Sequence, residues 1–410
     1  MKNILTIALL LGATLQLSAQ KMDDELWLQD LDAYKTGLEQ KHINLYNTIS
    51  EKDFDSELAL IKSSIDNKTD FQVVMDLMRL TRKIGDGHTA ISLSNLETHS
   101  FPFEIQQFGN DWRIVKISKR YKHLLGTQLI AVDGTPITIA IQKVGEVAQF
   151  VENPHSKTIR TAQYFPISEI LFELKLINQK DKAIFTFKNA EGTVYKETIS
   201  VADNVEIEEI TISIPEIEKP EETSNDGFWY AKISGTDGLY IHFESYPAFE
   251  EMMQIAEKMV GYIFENNIRK LVIDLRNNGG GDLYVGLVLA NALNLADPVD
   301  WQSGVYVLAD KVTFSAAASN TALFRELLNA KIVGEPTGSN PTGFQDMDTF
   351  ELPNSKLVIC YSKRFFRIQE EFSEGVHPDV PLQYEWESFS RGEDNMLQWV
   401  IEAIRTAESE

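Results

Sequence analysis

The chain has 410 residues, 43 % of them hydrophobic and 24 % charged; it is too long for one ordinary core and too apolar for disorder to be the default. Its 38 basic and 61 acidic side chains leave a net charge of −23. No Lys/Arg cluster stands out against that field, which argues against nucleic acid or an anionic lipid surface as a partner.

In chain order, residues 1–19 are expected to be a secretory signal peptide. Lys2 supplies the positive start, residues 4–11 the apolar run and Leu17-Ser18-Ala19 a processing site. A membrane anchor is the alternative, but the run falls short of the roughly 20 apolar residues that span a bilayer. No stable membrane insertion is therefore expected after processing, and the protein is expected to be exported, periplasmic or secreted. Removing the segment takes Lys2 with it and the net charge to −24. Cys360 is the only cysteine, so no disulfide forms within the chain.

Residues 22–98 predict an N-terminal helical domain. Trp27, Leu31, Tyr34 and Leu38 recur at helical spacing, as do Phe54, Leu58, Ile61 and Ile65. Thr69 or Asp70 can cap a third helix, which ends at Ile84-Gly85-Asp86-Gly87-His88-Thr89. Residues 99–203 change to short strands: 112–117 alternate, 128–132 end at Asp133-Gly134, about three helical turns begin at Ile137, and a hairpin is expected near Gly192. The segment 125–137 resembles the middle of a PDZ-type domain, a module that adds a peptide to a sheet edge. Residues 204–226, rich in glutamate with Pro215 and Pro220, read as an extended acidic linker. From 227 to 410, strand and helix patterns alternate, which predicts an α/β core with parallel strands.

Three places in this pattern can carry chemistry. Ser315 follows the strand 305–308 and precedes Ala316-Ala317-Ala318. At such a helix N-terminus, free N–H groups can stabilise an oxyanion, although a plain N-cap is the commoner role for a serine there. The strand 271–275 runs into Arg276-Asn277-Asn278-Gly279-Gly280-Gly281. Its glycines allow close backbone approach to a ligand; a tight turn or a phosphate loop are the alternatives, but no Gly-Lys-Ser/Thr follows. His88 stands on a glycine-flanked exit turn, and a neutral imidazole suits proton transfer from a serine.

Together these segments resemble the carboxyl-terminal processing (tail-specific) serine peptidase family. The resemblance rests on Asp86 to Thr89, Asp274 to Gly281, Thr313 to Ala317, Val333-Gly334-Glu335-Pro336-Thr337-Gly338 and Gly375-Val376-His377-Pro378-Asp379, in the family's order, with the PDZ-like segment between the first two. It implies a crotonase/ClpP-like parallel sheet in the α/β core, beside the N-terminal helical domain and the PDZ-like β-rich domain. It implies Ser315 as nucleophile and the N–H groups of Gly280 or Gly281 and Ala316 as oxyanion hole. The branch with a lysine base would need it where Asn340 stands, so the resemblance points to the tricorn-core-like branch, with His88 as base. There an acid, here Glu374, orients the histidine through a serine, but Gly87 occupies the serine's place. The implied activity is hydrolysis of peptide or protein substrates through an acyl-enzyme, with no cofactor and no metal. Two rival functions remain: a non-catalytic peptide- or ligand-binding protein on the same fold, and an acyl-thioester enzyme of crotonase type.

Overall fold

The computed structural model describes residues 21–202, 205–221, 223 and 225–409; the expected signal peptide lies outside them. Three helices come first: α1 (Asp24–Lys41), α2 (Glu51–Lys62) and α3 (Asp70–Arg82). The apolar stripes of α1 and α2 are buried. Thr69 and Gln72 close a capping box on α3, satisfying N–H groups that a helix start leaves open. Gly85, at φ +79°, carries the chain out of the helix, a backbone state that costs glycine little. The short strand β1 (Ala90–Ser92) follows.

Next come β2 (Phe103–Phe108), β3 (Asp111–Ser118), β4 (Gln128–Val132), β5 (Thr135–Pro136), α4 (Ile137–Val144), α5 (Pro154–Tyr164), α6 (Ser168–Glu173), β6 (Lys182–Lys188), β7 (Val194–Ser200) and β8 (Ile207–Glu209). They build an antiparallel sheet in the order β2-β3-β4-β6-β7, with β5 on β4 and β8 on β3. Helix α4 covers eight residues, about two turns and not three. The acidic segment is less free than expected, because β8 pairs with β3 from Lys116↔Glu209 to Ser118↔Ile207.

The remaining elements are β9 (Phe228–Lys232), β10 (Gly238–Phe243), α7 (Phe249–Glu265), β11 (Lys270–Asp274), α8 (Leu283–Leu293), β12 (Val305–Ala309), α9 (Ala316–Leu328), β13 (Lys331–Gly334), β14 (Thr342–Glu351), β15 (Val358–Arg367), β16 (Val380–Pro381), α10 (Trp386–Ser390) and α11 (Asn395–Ser409). A six-stranded sheet runs β16-β13-β12-β11-β10-β9 and is parallel except for β9. The hairpin β14–β15 leaves this sheet and pairs β15 with β1 instead.

Alternation along the parallel strands explains their two covered faces. Leu239, Ile241, Leu271, Ile273, Val305 and Val307 pack toward α7, α8 and α9, while Tyr240, Val272, Tyr306 and Leu308 pack with Met396, Val400 and Ile404 of α11. A third cluster runs without a break from α1–α3 through the antiparallel sheet to Ile359 and Tyr361 of β15. Among the described residues, no helix is long and apolar enough to cross a membrane.

Candidate active site

Ser315 sits in the junction between β12 and α9. Asp310 turns the chain there by accepting from the N–H groups of Val312 (2.9 Å) and Thr313 (3.0 Å), and Thr313 Oγ1 donates to the Leu275 carbonyl at 2.9 Å. The junction leaves Ser315 at φ 55°, ψ −126°, a region costing a non-glycine residue roughly 1–3 kcal/mol. Its N–H donates to Ser339 Oγ at 2.6 Å. The serine does not cap α9 through its side chain; instead its Oγ lies 2.9 Å from His88 Nε2. The commonest role for a serine at a helix start is thus not the one it takes.

His88 is held from its main chain. Asp86 Oδ1 accepts from the N–H groups of His88 and Thr89, each at 2.8 Å, and from Ser362 Oγ of β15 at 2.8 Å. Asp86 Oδ2 accepts from Thr89 Oγ1 at 2.7 Å and bonds His42 Nε2 at 2.7 Å. Since His42 Nδ1 accepts from the Asn44 N–H at 3.0 Å, Nε2 carries the proton toward Asp86. Burial pushes the Asp86 pKa up, but the bonds from His42, Thr89 and Ser362 outweigh it and hold the carboxyl below its usual range. A carboxylate gripped by many donors stays charged.

His88 itself is 4 % exposed. Burial lowers its pKa; the Asp86 charge and the Phe344 main chain push back, and the Arg160 cation lowers it further. The net direction is down, so the ring is neutral at neutral pH. Among the described residues no atom meets its buried Nδ1 in full hydrogen-bond geometry, and Phe314 packs against the ring with centres 5.2 Å apart.

The glycine loop touches Ser315 directly. Asn278 anchors it by donating from Nδ2 to the Phe243 carbonyl (2.7 Å) and accepting from the Phe314 N–H at its own carbonyl (2.9 Å). Gly280 has φ +105°, and a Cβ there would lie 2.7 Å from Ser315 Cβ and 2.9 Å from the Phe314 carbonyl. Of the three expected oxyanion donors, the Gly280 N–H is already engaged with Asn278 Oδ1 at 2.9 Å. Among the described residues, no acceptor is bonded to the N–H of Gly281 or Ala316. Both line a cavity of about 800 Å³ with His88, Ser315, Phe314 and Arg160. A larger cavity of about 1320 Å³, between the antiparallel and parallel sheets, reaches neither Ser315 nor His88.

Among the described residues no hydrogen bond joins the expected acid, Glu374, to His88. Glu374 is exposed, and the imidazole it acts on is His155. The turn around it is pinned: the Gly375 N–H donates to Asn340 Oδ1 at 2.9 Å and the Val376 N–H to Thr337 Oγ1 at 2.8 Å. Asn340, where a lysine base would stand, is a strut that also accepts from Asn153 Nδ2 at 3.0 Å. Position 87 has no room for a serine, since a Cβ there would lie 2.7 Å from Glu152 Cβ and 2.8 Å from the Phe314 ring.

Sequence reasoning left Asp86 without a role, although a short acid two residues before a turn histidine is a local signal for capping its N–H. His42, Ser339 and Ser362 gave no signal, because their partners lie 44, 24 and 276 residues away.

No family model matches the sequence. Among solved structures the chain is similar to mature CPAF, with a TM-score of 0.68 at 15 % identity over 90 % of this chain and 94 % of that one. It is also similar to mature CPAF complexed with lactacystin, with a TM-score of 0.67 at 13 % identity over 94 % and 98 %. The photosystem II D1 C-terminal processing protease superposes more loosely, with a TM-score of 0.41 at 14 % identity over 88 % and 94 %. At these identities the likeness is one of fold: the chain has the fold of mature CPAF.

Proposed function

We propose that the protein is a serine-type peptidase that hydrolyses peptide bonds through an acyl-enzyme on Ser315. The carrying observation is the 2.9 Å separation of His88 Nε2 and Ser315 Oγ, two residues that meet only because the helical segment docks beside the parallel sheet. In the first step His88 Nε2 takes the Ser315 proton while Oγ bonds the peptide carbonyl carbon, and the carbonyl electron pair becomes an oxyanion. The free N–H groups of Gly281 and Ala316 are the donors suited to receive it. Collapse of the oxyanion expels the amine, which takes the proton from His88, and water then repeats the sequence to free Ser315. Losing one such donor typically costs roughly 3 kcal/mol of transition-state stabilisation.

The finer parts of this reading have separate supports. The mostly parallel six-stranded sheet suits a crotonase/ClpP-like core, and the sheet around β2–β7 suits a PDZ-like unit. The basic and apolar start of the sequence suits export to the periplasm or beyond the cell, with peptides or proteins there as substrates. Lactacystin, bound by mature CPAF, is a suitable probe beside a fluorophosphonate. Ser315→Ala is expected to keep the circular dichroism spectrum of the parent while losing both peptide hydrolysis and fluorophosphonate labelling. Retained turnover in that variant contradicts the proposal.

A further inference from the structure

The cavity at Ser315 holds a cation, Arg160, that makes no contact with the proposed reacting atoms and has no anionic partner among the described residues. Arg160 stands on α5, and its guanidinium lies 5.2 Å from the centre of the Phe314 ring and 5.8 Å from that of Phe150. Phe314 is the residue before the nucleophile, and all three side chains line the same cavity. Among the described residues, the Arg160 side chain makes one hydrogen bond, from Nη1 to the neutral Gln163 Oε1 at 2.9 Å. Burial lowers its pKa and only Tyr164 pushes back; no carboxylate answers its charge among the described residues. Of the other charged side chains in the cavity lining, Arg364 Nε lies 3.2 Å from Asp346 Oδ2, and Asp282 caps α8 by accepting from the Tyr284 N–H at 2.9 Å.

In a chain with 61 acidic side chains, a half-buried arginine left without one calls for a physical reason. Packing alone would be served by an apolar side chain. A guanidinium fixed between two aromatic faces keeps its fork pre-oriented, and its donors match a carboxylate bidentately. The aromatic walls also keep water away, which strengthens the attraction.

We propose that Arg160 is the binding element for a carboxylate of the bound peptide, close to the bond that Ser315 attacks. This rests on the peptidase reading for the identity of the ligand as a peptide. The carboxylate comes either from an Asp or Glu side chain or from a free chain end, and the chemistry recognised is the same.

The test uses the Ser315→Ala variant, so that binding is read without turnover. Short fluorescein-labelled peptides of one mixed sequence, carrying a single Glu or its Gln counterpart at each position in turn, are made as free acids and as C-terminal amides. Fluorescence anisotropy is expected to show roughly tenfold or tighter binding when the right carboxylate is present. Dependence on one Glu position assigns the side chain, and loss on amidation assigns the chain end. Adding Arg160→Met is expected to erase the difference, and Arg160→Lys to keep part of it. Fluorophosphonate labelling of Arg160→Met with Ser315 intact checks that the site still assembles; if it does not, Arg160→Lys and Arg160→Gln serve in its place. Equal binding of charged and neutral peptides, a preference that survives Arg160→Met, or no binding of any carboxylate peptide overturns the proposal. Charge-selective binding by a wild-type protein that cuts nothing would sink the peptidase reading alone. Cleavage without charge preference would sink the carboxylate site alone.

Discussion

In the proposed reaction the proton on Ser315 passes to an uncharged imidazole, and burial favours that form of His88. Because the folded-state pKa is depressed, the neutral ring persists as pH falls past the ordinary histidine value of about 6.5. The acid limb of kcat/KM should therefore lie below 6.5, with activity lost as pH drops through that limb. A pH–rate profile whose limb lies above 6.5 would contradict this assignment of the base. The same depression makes the unfolded chain the better proton acceptor at this site, so stability also falls as pH drops below about 6.5. Gly280→Ala is the companion prediction. The new methyl group meets Ser315 Cβ at 2.7 Å in a backbone state of φ +105°, so the loop must move. Misplacement of about 1 Å at such a site costs on the order of a hundredfold in rate; steady-state kinetics on a variant with unchanged circular dichroism will measure it. Ser315, His88 and the glycine loop were visible in the sequence because each stands in a short local pattern. The exposed setting of Glu374 was not legible, because the turn that follows it is tied to Asn340 and Thr337, more than thirty residues away.

Helices and strands were legible where one periodicity ran uninterrupted, as in the α1 stripe and the strands β10, β11 and β12. The acidic tract was legible as charged but not as paired. Its strand β8 lies where Lys116 and Lys122 meet Glu209 at 3.3 Å and Glu208 at 3.1 Å, and Lys119 meets Glu206 at 3.0 Å beside it, and those lysines lie far back in the chain. A second long-range tie joins β11 to the start of α11. Arg276 donates from Nε and Nη2 to Asp274 (2.9 and 2.6 Å) and from Nη1 and Nη2 to Asp394 (2.8 and 2.7 Å). All three residues are buried. Arg276→Met leaves two carboxylates without their cation and should cost about 3–5 kcal/mol, read as a lower urea midpoint. A variant with an unchanged midpoint would show that the pair contributes nothing net to the fold.

At the scale of the molecule, the parallel sheet could be anticipated from the alternation of strands and helices between 239 and 308. The place of Leu352, Leu357, Ile359 and Tyr361 in one core with α1–α3 could not, because those four residues come from far along the chain. The same hairpin places Cys360 opposite Ala90 and gives Ser362 to the carboxylate that grips the His88 turn. Ribosomal synthesis runs from the amino end, so the imidazole emerges long before the strand that fastens its turn. A nascent polypeptide therefore carries both halves of the reactive pair for a time with no fixed aim between them. The grip on that turn is therefore complete only once residue 362 has been added and β15 has paired with β1.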